Sequence, residues 1–159
     1  MITNRTQYDV DTAIRLRNEK VKFDPITMQP INPEELTESE IAILEKGTIT
    51  YNTLNRIENK IDELKGLIIA EGFLLGNIQT KSWEYEDIFN IEDFERILAN
   101  LSVLKNGFAI LANTPPTPRA NYHYQNFNDI EKILVDIEYL IVGMKKTYFY
   151  SNEIMAGEV

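Results

Sequence analysis

The sequence predicts an all-α, single-domain protein of four to five helices, with two long helices paired in antiparallel fashion and an extended aromatic C-terminal tail. Three observations carry this expectation. Apolar residues recur at alternating steps of three and four in two separate stretches, the spacing of a heptad seam. Polar caps and glycine stops bracket those stretches. The 159 residues suit one hydrophobic core rather than two.

Thr6 and Asp9 form a variant capping box that opens a first helix, with Val10, Ala13, Ile14, the stem of Arg17, and Val21 on its inward face. KFDPITMQPINP then brings three prolines, which lack an amide hydrogen and push their predecessors out of helical geometry, so a loop follows. Asn32, Pro33 and Glu35 suit the cap, first position and box acid of a second helix that runs towards Lys46 and closes at Gly47. Thr50 caps a long third helix with its seam at Leu54, Ile57, Ile61, Leu64 and Ile68, and Gly72 supplies its stop. The stretch 73–89 has no stable period and reads as a connector docked by its aromatics, among them the single tryptophan, Trp83. Asn90 with Asp93 opens a fourth helix, with Phe94, Ile97, Leu98, Leu101 and Leu104 inward and Gly107 at its end. NTPPTPR is held extended by its adjacent prolines. A fifth helix from about Asn126 to Lys146 carries the seam Phe127, Ile130, Leu134, Ile137, Ile141 and Met144. The domain therefore spans 1–146, and 147–159 reads as an extended tail, in which Tyr148, Phe149, Tyr150, Ile154 and Met155 form an apolar strip that needs a covering surface.

One phrase is written twice, YNTLNRIE at 51–58 and YQNFNDIE at 124–131. Aligning Tyr51 with Tyr124 brings Asn55 onto Asn128, Ile57 onto Ile130 and Glu58 onto Glu131, and the seams stay matched as far as Ile68 and Ile141. A heptad forces the apolar matches but not the tyrosine, asparagine and glutamate, so these side chains are expected to make equivalent cap or interface hydrogen bonds, unless helix-start chemistry alone selects them. The seams fit either pairing within one chain or pairing between chains.

Composition excludes several chemistries. The 25 acidic and 16 basic residues give a formal charge of −9, a field that repels phosphate backbones, so no nucleic-acid partner is expected. With no cysteine there are no disulfides, thiolate nucleophiles or cysteine zinc sites. One histidine, His123, rules out two-histidine zinc motifs and paired Glu-x-x-His di-iron sites, and its place between two tyrosines suits a structural or surface role. No P-loop, nucleophile elbow or dinucleotide glycine turn is present. No cofactor or metal is expected. No apolar run approaches the roughly 20 residues that cross a bilayer, and no secretory signal opens the chain, so no membrane partner is expected. Glu34, Glu35, Glu38 and Glu40 serve a helix start; Glu84, Glu86 and Asp87 beside Trp83 could touch a sugar or a calcium ion, but lack the spacing of a calcium loop.

Taken in order, RTQYDVDTAIRL, YNTLNRIENKIDEL, the W-x-x-x-D segment SWEYEDI, FERILANLSVL, NTPPTP, NFNDIEKILVDIEYLI and FYSNEIMAGE resemble small structural proteins of the tail modules of phages and prophages of Gram-positive bacteria. The likeness spans nearly the whole chain and rests on the order of motifs that are individually weak. Asn152 stands where the resemblance leads one to expect a glycine. The resemblance implies a non-enzymatic virion component, made in a bacterial cytoplasm, that joins other virion proteins in the tail tip, baseplate or fibre attachment and forms a homo-oligomer. Two other readings stand beside it: a cytoplasmic helical adaptor or regulator binding a host protein, and a sugar-binding or wall-degrading tail component using Trp83, Glu84, Glu86 and Asp87.

Overall fold

Five helices form in the described residues, 1–20 and 36–155 with side chains through Thr147, of this computed structural model: α1 (Gln7–Lys20), α2 (Glu38–Gly47), α3 (Tyr51–Ala70), α4 (Ile91–Gly107) and α5 (Tyr124–Met155). No strand occurs among these residues. The chain is thus all-α. Val21, the proline-rich loop, the cap proposed at Asn32, Pro33 and Glu35, and Gly157 lie outside the described residues.

The caps expected at three helices are present. The Thr6 N–H donates to Asp9 Oδ2 at 2.8 Å and the Asp9 N–H to Thr6 Oγ1 at 3.3 Å, closing the box before α1. Thr50 accepts from the Thr53 N–H, and Asn90 from the Asp93 N–H. The α2 cap differs from expectation. α2 starts at Glu38 under Thr37, which forms a full capping box with Glu40. TESE carries the same signature as the Asn32 site and stands nearer the apolar run it must open. Gly72 adopts φ 87°, and the Phe73 N–H reaches Ile68 O while the Gly72 N–H reaches Ile69 O, a Schellman ending for α3.

α1 and α2 pack as an antiparallel hairpin, tied by Lys46–Asp9 at 3.0 Å and Lys20–Glu40 at 2.5 Å. Their crossing depends on Gly47, where a Cβ would stand 2.2 Å from the Asp9 carbonyl oxygen and 2.4 Å from Ala13 Cβ. Ala13 is buried and Val10 half-buried, but Ile14 and Arg17 are exposed. The inward stripe of α1 is therefore narrower than predicted, because a hairpin of two short helices covers only the residues nearest the crossing.

The main core lies among α3, α4 and α5. Both seams turn into it: Leu54, Ile57, Ile61, Leu64 and Ile68 meet Phe127, Ile130, Leu134, Ile137 and Ile141, with Phe94, Ile97, Leu98, Leu101 and Leu104 from α4 and Met144 at its edge. The seams are buried within one chain. Each fully buried side chain of this kind contributes about 1.5–3 kcal/mol.

Ion pairs reveal direction. Arg56–Glu131, Lys60–Glu138 and Glu71–Lys145 ascend together along α3 and α5, so these helices run the same way, not antiparallel as expected. α4 follows suit, since Arg96 pairs with Glu58 near the starts of α4 and α3, and the Phe73 and Phe108 rings meet at 5.0 Å just past their ends. Successive helices that run parallel require each connector to travel back a helix length, about 30 Å for twenty residues. That is why 73–89 and 108–123 are long and extended; at about 3.3 Å per residue each has ample reach.

α5 corrects a further expectation. The segment from Thr147 to Met155, expected to be extended, continues the helix without a break at the proposed 146/147 boundary. Three successive aromatics suggest strand, yet no proline intervenes, and adding residues to an existing helix avoids the cost of nucleation.

Candidate functional site

An extended segment lying on helices has no strand beside it, so its backbone donors and acceptors need side-chain partners. An asparagine supplies one of each. Asn55 Oδ1 accepts from the Trp83 N–H and its Nδ2 donates to Trp83 O, both at 2.8 Å. Asn128 does the same for Arg5, accepting its N–H at 3.0 Å and donating to its carbonyl at 2.9 Å. The two matched asparagines therefore hold two different extended segments by the same pair of bonds.

The matched glutamates work one turn further on. Buried Glu58 pairs with Arg96 at 2.6 Å and accepts the indole N–H of Trp83 at 3.4 Å. Fully buried Glu131 takes Arg5 Nη2 and Arg56 Nη2, each at 2.9 Å, and the Ile2 N–H. The repeated phrase is thus a clamp: the asparagine grips a backbone residue, and the glutamate takes one arginine and an indole N–H at Glu58, two arginines and a backbone N–H at Glu131. α4 carries a third asparagine of this kind, which sequence reasoning missed. Asn100 accepts from the Gln79 N–H at 3.1 Å and donates to its carbonyl at 2.7 Å, and Arg96 Nη1 also reaches that carbonyl at 2.9 Å. A polar residue lodged between the inward positions Ile97 and Leu101 was the available signal.

Trp83, expected to dock its connector, is buried against Phe89 with the Lys81 ammonium 3.9 Å from its ring centroid. It lines a surface groove of about 700 Å³ with Thr50, Tyr51, Tyr85, Glu86 and Asp87. Lys81 and neighbouring rings leave little of the indole to offer a sugar. Asp87 also has local work, accepting the Glu84 N–H at 2.8 Å and facing Lys81 at 3.7 Å. His123 is exposed, and its Nδ1 accepts the Gln125 N–H at 3.3 Å at the start of α5, a structural contact. The second proline connector is fastened by Lys105 to the Pro115 carbonyl and by the Thr114 hydroxyl to Asp136.

Among the described residues no group of three or more His, Asp or Glu side chains is placed to hold a metal ion, and no helix is long and apolar enough to cross a membrane. The candidate partner-binding residues Tyr148, Phe149, Tyr150, Ile154 and Met155 fall on the last turns of α5, beyond the Lys145–Glu71 pair that marks the end of α3. Their helical form is a feature the sequence did not foresee. Set beside protein-family models, curated proteins and solved structures, the chain matches none of them.

Proposed function

We propose that the protein is a non-enzymatic structural subunit of a phage tail module, a tail or baseplate piece that joins neighbouring tail or fibre proteins and copies of itself. The observation that carries this reading is the form of α5, which serves as a core helix over its first part and then runs on past the end of α3. A helix anchored in this way can present residues to a neighbour at a fixed angle, and helices dock into grooves through residues three and four apart. Tyr148, Phe149, Tyr150, Ile154 and Met155 lie on that length, a composition suited to burial against another protein. The resemblance of the motif order to tail-module proteins supports the same reading. So does the commitment of the buried Asn, Glu and Arg groups to holding the chain together.

The test compares the full chain with a chain ending at Lys146, by association with purified particles and by solution mass. The expected result is that the full chain co-purifies with particles, while the shortened chain stays folded but is lost from them. Recovery of the full chain only in the particle-free fraction of producing cells would replace this reading with the cytoplasmic adaptor. Loss of turbidity from purified cell walls, abolished by Glu86→Gln, would replace it with the wall-degrading component.

A further inference from the structure

α5 carries a second stripe beside its buried seam. Val135, Tyr139, Val142 and Lys146 follow one another at steps of four, three and four, a spacing that keeps them on one face. That face is open: Tyr139 is 70% exposed and Val142 40%. A shallow groove of about 470 Å³ runs over these residues and Glu138 and Gly143. A helix that buried only its inner seam would be polar here. Gly143 sharpens the anomaly, because a glycine inside a helix is destabilising against alanine. A Cβ there would meet nothing within 4 Å in this chain, so no contact inside the molecule requires glycine.

Charge indicates what covers the face. Glu138 and Lys146 stand four residues to either side of Val142. Glu138 remains 37% exposed although it reaches Lys60, and Lys146 forms no ion pair among the described residues. If a second α5 crosses in the opposite direction about a two-fold axis near Val142, each Glu138 faces the other copy's Lys146, and Val142 meets Val142. Gly143 lies beside the crossing, where a missing side chain lets two backbones come close. A parallel arrangement would instead set Glu138 against Glu138 and Lys146 against Lys146, placing like charges face to face. We infer that the outward face of α5 is a self-complementary interface with a second copy of this chain, the two helices crossing antiparallel about Val142. Such an isologous contact closes on itself as a dimer. This deepens the self-association in the reading above by naming its surface, and it does not depend on the assembly being a virion.

The chain has no cysteine, so single cysteines report proximity without interference. In the full chain, Val142→Cys is expected to form a disulfide-linked dimer under mild oxidation, while Ile88→Cys, at a site 83% exposed and beside the start of α5, far along the helix from Val142, stays monomeric on denaturing gels. Mixing Glu138→Cys with Lys146→Cys should yield the mixed dimer in preference to either homodimer. By equilibrium sedimentation, Lys146→Glu should weaken the dimer about tenfold, with Glu138→Lys in the same chain restoring it. Tyr139→Asp should give a monomer of unchanged helicity. A monomeric wild type across the concentration range overturns the inference, as does a Glu138→Cys homodimer in place of the mixed one. Either result leaves association with particles, measured separately, to decide the tail-subunit reading.

Discussion

Asn55, Asn100 and Asn128 act as single-residue substitutes for a neighbouring strand, each satisfying both polar groups of one backbone residue. Truncating one strands a donor and an acceptor, which costs about 1–3 kcal/mol. Asn55→Ala and Asn128→Ala should therefore lower stability by similar amounts, and the double substitution by their sum, since the two clamps hold different segments. Glu131 has more at stake. Its removal leaves Arg5, 1% exposed at its side chain, as a buried cation without a counter-charge. Glu131→Gln should cost about 3–5 kcal/mol, while Glu138→Gln on the surface should cost no more than about 1 kcal/mol. Urea unfolding measures both, and a wild-type midpoint for Glu131→Gln would contradict the clamp. The asparagine and glutamate of each clamp were legible as a repeated phrase. Their partners Arg5, Trp83 and Arg96 were not, because nothing local in a sequence ties position 5 to position 131.

At the level of elements, glycines report which surfaces touch. Gly47 sits where α1 and α2 cross, and the atoms a Cβ would strike include backbone that cannot swing aside. Gly47→Ala should destabilise the protein by about 1–3 kcal/mol through forced separation of the hairpin. Gly66, inside the C-terminal part of α3, has nothing within 4 Å of its missing Cβ. Gly66→Ala should stabilise by about 0.5–1 kcal/mol through helix propensity alone. Thermal unfolding of the two variants should thus move in opposite directions, and a Gly47→Ala protein as stable as wild type would show that the hairpin yields. Pattern reading located Gly47 as a stop signal and missed its packing role, since close approach belongs to the partner helix.

The whole molecule joins two bodies of different character. The bundle of α3, α4 and α5 is held by a large apolar core, whereas the α1–α2 hairpin relies more on caps and ion pairs. The Lys20 ammonium, with the Thr37 N–H and hydroxyl, holds the Glu40 carboxyl down at about 2, against an ordinary 4.5. The Thr6 hydroxyl and the Lys46 ammonium likewise lower Asp9. A carboxyl whose folded value lies below its unfolded value stabilises the fold fully above the unfolded value, and that contribution is lost as pH falls through the folded one. The hairpin should therefore loosen as pH drops from about 4.5 towards about 2. Circular dichroism of wild type and Glu40→Gln over that range tests this. The variant should show a shallower acid loss of helicity, and superimposable profiles would assign the effect to other groups.

The sequence alone determined the helical class, the seams of α3 and α5, the inward face of α4, and the caps at Thr6, Thr50 and Asn90. These are set by side chains within a few residues of one another, where period and hydrogen bonding are local. Tertiary structure decided the common direction of α3, α4 and α5, because a seam is apolar whichever way its partner runs and only long-range ion pairs reveal the sense. It also decided the fate of the aromatic stretch after Lys146: the three aromatics favour a strand when taken alone, but they follow a helix already formed, and continuing it avoids a new nucleus.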